Sequence, residues 1–211
     1  MVSSVYHTIG ASRQIFIQAP TGVGKTMSTI FPAVRAVGEG KGETIFYLTA
    51  KTITRTVAQE AFEVLREKGM KYKVVTITAK EKLCFMDETK CDPVHCPYAR
   101  GHFDRVNDAV YELWTTKSRY DRETIREQAE KWQVCPFEMC MDLSVWVDAV
   151  ICDYNYVFDP TVHLKRFFGE GAGGDYIFLI DEAHNLAARG REMYRASLSS
   201  EDAVRVRNVM K

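Results

Sequence analysis

Short apolar runs separated by amphipathic stretches organise this chain. Ile15-Phe16-Ile17 reads as a buried strand, residues 44–48 as a second, and residues 72–77, rich in β-branched side chains, as a third. Residues 27–37 carry a helical pattern interrupted only by Pro32. Residues 53–68 place Ile53, Val57, Ala61, Val64 and Leu65 at helical spacing before Gly69 ends the helix. The pattern breaks at Lys80. Strand character returns at Ala149-Val150-Ile151-Cys152 and, beyond a glycine-rich link over 169–174, at residues 176–180. Strands alternating with helices predict an α/β fold.

Between Cys84 and Cys140 the character changes to two charged helical stretches, about 104–114 and 121–132, with cysteines at both ends. This segment reads as an insertion. Its basic residues Arg100, Arg105, Lys117, Arg119, Arg122, Arg126 and Lys131 are balanced by acidic ones, which predicts a solvated helix face rather than a nucleic-acid patch.

Composition narrows the picture. A chain of 211 residues with 46% hydrophobic content can bury a substantial core, as one domain or one domain with an insertion. Its 28 basic and 28 acidic residues leave a formal charge of zero, so any nucleic-acid contact must be local. No apolar run approaches the roughly 20 residues that span a bilayer. No basic-then-apolar leader opens the chain either, so a cytoplasmic or nuclear protein without a membrane segment is expected. Six cysteines in such a chain suggest metal-binding thiolates more than disulfides.

The run Ala19-Pro20-Thr21-Gly22-Val23-Gly24-Lys25-Thr26 sits between a strand pattern and a helix pattern and has the residues to wrap a polyphosphate. Gly22 and Gly24 permit positive φ, turning backbone N–H groups inward; Lys25 can reach the outer phosphates and Thr26 can hold Mg²⁺. Asp181-Glu182-Ala183-His184 follows the last apolar run, placing two carboxylates at the carboxyl edge of a strand, where open α/β sheets bind ligands. Asp181 would hold Mg²⁺ through water, Glu182 would position or deprotonate the attacking water, and His184 would link the nucleotide to neighbouring motifs. The bland alternative for the pair is capping of a helix N-terminus. Among the cysteines, spacing alone allows a zinc site from two pairs, Cys91 with Cys96 and Cys135 with Cys140, leaving Cys84 over.

The phosphate loop, the Asp181 box and the interposed cysteines resemble superfamily 2 helicases of the iron–sulfur branch, the relatives of XPD and DinG. Lys80-Glu81-Lys82-Leu83-Cys84, then Cys91, then Cys96-Pro97-Tyr98, then Cys135-Pro136-Phe137 look like that family's four cluster cysteines in order. Asn155-Tyr156-Val157-Phe158-Asp159-Pro160 looks like the segment after the cluster, and Tyr47-Leu48-Thr49-Ala50-Lys51-Thr52 like a DNA-contacting motif.

The resemblance implies an incomplete RecA-like P-loop NTPase domain with a mainly helical cysteine-bearing insertion: residues 1–79, an insertion over 80–143, and a truncated second part over 144–211. It implies ATP and Mg²⁺, 5′ to 3′ movement on single-stranded DNA, and a 4Fe-4S cluster on Cys84, Cys91, Cys96 and Cys135. Cys140 is left as a helix residue and Cys152 as a strand residue. Lys51 and Thr52 become candidate contacts to a DNA backbone, against an ordinary helix start capped by Thr49 or Thr52. Tyr154 and Tyr156 could stack on bases, but aromatics beside a strand more often belong to the core.

In the family a second RecA-like domain supplies an arginine to the ATP, and a helical arch is inserted beyond the Asp181 box. Both are expected outside these 211 residues, as is a strand that lies between the phosphate-loop strand and the Asp181 strand. The sheet should therefore show either a gap there or a direct pairing of Ile15-Phe16-Ile17 with Phe178-Leu179-Ile180.

Overall fold

The computed structural model describes residues 1–20, 22–196 and 199–209. Helix α1 (Val2–Gly10) packs on α2 (Lys25–Gly38), followed by β1 (Thr44–Leu48), α3 (Thr52–Glu67), β2 (Val74–Thr76) and the single turn α4 (Lys80–Leu83). The cysteine-rich part carries α5 (His102–Thr116), β3 (Arg119–Tyr120), α6 (Arg122–Trp132) and α7 (Pro136–Ser144). Then come β4 (Ala149–Cys152), the short α8 (Asn155–Phe158) and α9 (Lys165–Phe168), β5 (Tyr176–Ile180), a 3₁₀ turn (Ala183–Asn185), α10 (Leu186–Met193) and α11 (Ser200–Val209).

The five strands form one parallel sheet in the order β3-β2-β4-β1-β5. Its central strands are near-continuous apolar runs because both faces are covered by helices. Ile45 and Tyr47 of β1 point to one face, where α2 contributes Ile30, Ala33 and Ala36 and α3 contributes Ala58, Ala61 and Phe62. Phe46 and Leu48 point to the other, where Val106, Ala109 and Leu113 of α5, Ile125 of α6 and Met139 of α7 close the core. The helices of the cysteine-rich part therefore share a core with the sheet, and β3 extends its edge, pairing Val75 with Tyr120.

Leu48 stands opposite both Cys152 and Ile180. Three strands thus end level, and the residues following each emerge together at the carboxyl edge of the sheet.

Three expectations change. Ile15-Phe16-Ile17 is not a buried strand: the segment lies outside the sheet, and Phe16 is 88% exposed. Among the described residues β5 pairs only with β1, so the direct pairing is absent and a three-residue run has no ladder to join. The core face of α3 is Ala58, Ala61 and Phe62, while Ile53, Val57 and Val64 face outward, because the helix packs closely through small residues. Finally, within the cysteine-rich part Arg100, Lys117, Arg119, Arg122 and Lys131 are exposed as expected, but Arg105 and Arg126 are half-buried. Arg105 donates to the carbonyls of Arg100, Trp132 and Gln133, Arg122 to Lys82 O, and Arg126 to Leu83 O and Cys84 O. They tie down the loops that carry cysteines.

Candidate nucleotide and metal site

The glycines of the phosphate loop adopt the backbone the loop requires: Gly22 has φ +83° and Gly24 φ +73°. A Cβ at either would meet nothing within 4 Å, so it is conformation, not space, that demands glycine. Gly24 is the N-cap of α2 and supplies no side-chain acceptor, which leaves the first amides of the helix facing the loop, as an anion site needs. Ala19 O accepts from Lys25 Nζ at 3.3 Å. Ala19, Pro20 and Val23 also line an open groove with Ile15, Ile17 and Gln18. Thr21 lies outside the described residues. Thr26 is partly buried beside the Tyr47 phenol, which interacts with it; burial pushes that phenol up to about 12.

Across from the loop, Asp181 continues β5 by one residue, its N–H donating to Leu48 O at 3.0 Å. Burial first, then the neighbouring Glu182 charge, raises the Asp181 carboxyl above the ordinary range, opposed by Lys25 and Lys51. Glu182 holds φ +51°, uncommon for a residue with a side chain, and its Oε1 stands 3.8 Å from Lys25 Nζ. Glu182 occupies the N-cap of the 3₁₀ turn without making a side-chain cap bond, so it is not spent on helix capping. His184 is 72% exposed, with Nε2 3.6 Å from Glu182 Oε2. Lys25, Thr26, Asp181, Glu182 and His184 are thus gathered at one edge of the sheet.

Residues that sequence reasoning passed over, or valued differently, frame this edge. Tyr154 is fully buried, which places it in the core rather than on a base-stacking surface. Its hydroxyl donates to Asp181 O and, at 3.4 Å, to Glu182 O. Tyr156 is likewise buried. Arg189 of α10 donates to Asp153 Oδ1 at 3.2 Å and Asn155 Oδ1 at 3.1 Å. No local motif announces these partners; only the level ending of β4 and β5 brings them together.

Lys51 is the N-cap of α3 and Thr52 its first residue, both exposed at the same sheet edge. The hydroxyl serving this helix start is Thr49: its Oγ1 accepts from Lys51 N at 3.4 Å and pairs with the Thr54 hydroxyl. Neither the Lys51 ammonium nor the Thr52 hydroxyl is used to cap α3.

Cys84, Cys91, Cys96 and Cys135 line one cavity, together with Lys80, Phe85, Tyr98 and Phe137. A side-chain hydrogen bond from Lys80 to Cys91 holds the Lys80 ammonium above its usual range. Cys140 and Cys152 are fully buried elsewhere in the core, and burial pushes the Cys140 thiol up to about 12. Among the described residues, no three His, Cys, Asp or Glu side chains converge on a point that could hold a single metal ion. No helix among them is long and apolar enough to cross a membrane.

The DEAD_2 family profile matches residues 67–203, more than half of the chain. The chain belongs to the DEAD_2 family. A DEAD/DEAH box helicase profile matches residues 3–98, covering the phosphate loop and the first cysteines. The chain is 30% identical over 105 residues to the Fanconi anemia group J protein homolog of Gallus gallus. It is 22% identical over 189 residues to a "probable ATP-dependent helicase" of Methanocaldococcus jannaschii. The matched segments span 8% and 27% of those proteins and 49% and 88% of this chain. Two solved structures share the fold. "Truncated XPD" superposes with a TM-score of 0.65 at 18% identity, covering 94% of this chain and 56% of that one; "XPD_Helicase" gives 0.61 at 17%, covering 91% and 33%. The resemblance to XPD- and DinG-like superfamily 2 helicases therefore holds for this DEAD_2 chain, and an α/β fold with a parallel sheet holds with it.

Proposed function

We propose that this chain is the ATP-binding part of an iron–sulfur DNA helicase that couples ATP hydrolysis to 5′ to 3′ movement on single-stranded DNA. The observation that carries the reading is the meeting of Lys25 with the Glu182 carboxylate beside Asp181, at the edge where three parallel strands end. Phosphoryl transfer asks for that set: a cation on the outer phosphates, a metal clamp and a group to orient water. Ala19 to Thr26 would cradle the phosphates, Thr26 and Asp181 would hold Mg²⁺, Glu182 would position water, and His184 would report the nucleotide to neighbouring motifs. The exposed Lys51 and Thr52, on the same edge, would take a DNA phosphate.

Residues 80–143 would form the cluster-bearing insertion between the two parts of the nucleotide domain, residues 1–79 and 144–211. Cys84, Cys91, Cys96 and Cys135 ring one cavity without converging on one point. What supports the cluster reading is that these four, in the order of the family's cluster cysteines, line one cavity; in a 4Fe-4S cluster each iron would take one thiolate. A tetrahedral zinc needs all four sulfurs about 2.3 Å from one ion. The zinc set using Cys140 is disfavoured by that thiol's burial away from the cavity. When bound, such a cluster supplies a rigid staple and a redox centre; the protein's own part is to hold the four thiolates in place.

The full activity is assigned to the larger protein of which such a domain is one share, since ATP in these motors lies between two domains and needs an arginine from the second. The test is a binding titration on this chain with ATP and Mg²⁺. Affinity lost in Lys25→Ala, with DNA affinity that changes on adding nucleotide, supports the reading. DNA binding indifferent to nucleotide would instead support a metal-stapled binding module without motor function.

A further inference from the structure

The geometry points to Tyr154 as a positioning residue that sets the direction of the Asp181 and Glu182 carboxylates without touching the ligand. This rests on the nucleotide-site reading given above. Where β5 ends, the backbone leaves the sheet and its carbonyls lose their ladder partners. Glu182 O finds new ones in Asn185 N at 2.9 Å and Asn185 Nδ2 at 3.1 Å. Asp181 O, one residue earlier, is taken by the Tyr154 hydroxyl, which also reaches Glu182 O at 3.4 Å. The peptide between the two carboxylate-bearing residues is therefore held from below by a fully buried phenol.

That peptide needs holding. Glu182 sits at φ +51°, a conformation unfavourable for an L-residue that persists only where surrounding contacts over-determine it. Relaxing Glu182 to an ordinary negative φ would swing its carboxylate away from Lys25, while Asp181 stays anchored through its N–H to Leu48 O. The tyrosine itself is fixed on both sides. Asp153 Oδ1 caps the Asn155 N–H at 3.0 Å, and Arg189, from the helix that follows the acidic pair, grips Asp153 and Asn155 together. The segment 153–155 and the segment 181–189 thus form a closed frame, with the Tyr154 hydroxyl as its inner rivet and Arg189 as its outer one.

Hydrogen exchange on the full 211-residue chain tests this directly. Tyr154→Phe keeps the ring and removes only the hydroxyl. Amides over 181–185 should exchange about tenfold faster, the loss of one buried hydrogen bond, while β1 and β4 keep their protection. Tyr120→Phe is the control: it deletes a comparable bond, to Lys117 O at 2.7 Å, at the far edge of the sheet, and should leave 181–185 unchanged. Unaltered protection over 181–185 in Tyr154→Phe, or loosening spread evenly over the sheet, overturns the assignment. Should Tyr154→Phe fail to fold, Arg189→Gln must give the same local loss of protection for the assignment to stand. A parallel titration with ATP separates the two layers. Tyr154→Phe should weaken binding with Mg²⁺ present but not in chelator; wild-type protein that binds no nucleotide would count against the site reading, leaving exchange to decide the role of Tyr154.

Discussion

Lys25 Nζ lies 3.8 Å from Glu182 Oε1, joining the start of α2 to the turn after β5. The two charges offset each other, while Lys25 also donates to Ala19 O. A triphosphate would compete for the same ammonium. Lys25→Ala should weaken Mg²⁺–ATP binding about ten- to a hundredfold, the scale of one lost charge-assisted bond. Glu182→Gln should keep most of the affinity and, in the complete protein, lower turnover about 10²–10⁴-fold, as expected for loss of a general base. Isothermal titration and steady-state ATPase rates check the two arms; equal loss of affinity in both variants would contradict the division of roles.

Asp181 separates binding from stability. Its carboxyl is raised by burial and by the Glu182 charge, so the folded state binds the proton more tightly than the unfolded one. By linkage, stability falls as pH rises from the unfolded value, near 3.9, through the raised folded value, and the ionised side chain is a cost above it. Asp181→Asn should therefore melt at the same or a higher temperature than wild type at neutral pH, yet lose the Mg²⁺ dependence of nucleotide binding. In wild type, Mg²⁺–nucleotide affinity should decline on acidification at a higher pH than an ordinary aspartate would give. A lowered melting temperature for Asp181→Asn at pH 7 would refute this.

The cysteines divide by surroundings. On the iron–sulfur reading proposed above, serine at Cys84, Cys91, Cys96 or Cys135 should each lower bound iron and acid-labile sulfide, because all four residues line the same cavity. Cys140→Ser should leave metal content unchanged and cost about 1–3 kcal/mol of stability, since it leaves a hydroxyl in a closed core site. Metal and sulfide analysis after anaerobic purification, with a denaturant melt, tests both. Stoichiometric zinc lost only in the Cys140 variant would reverse the ligand set.

Arg126 bridges α6 to the cavity. Its guanidinium donates to Leu83 O at 2.8 Å and Cys84 O at 3.2 Å, and lies 4.4 Å over the Phe85 ring, which packs on Tyr98. Arg126→Gln keeps a donor but loses the planar fork and the ring contact. On the same iron–sulfur reading, the cluster's visible absorbance in this variant should bleach several-fold faster in air than in wild type. Arg126→Lys should rescue it only partly, because a single ammonium cannot fill both roles. Equal bleaching rates in all three proteins would show that the clamp does not matter.

What the sequence disclosed depended on how local each cause was. The phosphate loop was legible because Gly22 and Gly24 carry their backbone requirement in their own chemistry. Residues 44–48 were legible because burial on both faces leaves an unbroken apolar run. Ile15-Phe16-Ile17 has the same apolar character, but a strand exists only with a partner, and pairing is not written in a single segment. In α3 the eye follows Ile53, Val57 and Val64, while close packing selects Ala58 and Ala61. Arg105 and Arg126 read as part of a solvated charge pattern because their acceptors are carbonyls far along the chain. Tyr154 and Arg189 belong to the same class: their partners are set by which strands end side by side.

Two exposed apolar features, the run at residues 15–17 and the outer side of β5, have a consequence in solution. β5 pairs on one side only among the described residues, Phe178 is 41% exposed on it, and Ile15, Phe16 and Ile17 are all exposed. An unprotected edge strand and exposed apolar side chains each invite pairing between copies. Phe16, at 88% exposure, contributes almost nothing to the core, whereas Phe178 stacks on Phe46 with centroids 5.5 Å apart. Phe16→Lys should therefore leave the melting temperature within about 1 °C of wild type, since surface changes away from packed features stay within about 0.5 kcal/mol. The same variant should reduce concentration-dependent association in sedimentation velocity. Phe178→Lys should reduce association too, but at a visible cost in melting temperature. If both variants associate as wild type does, neither β5 nor residues 15–17 is where copies meet.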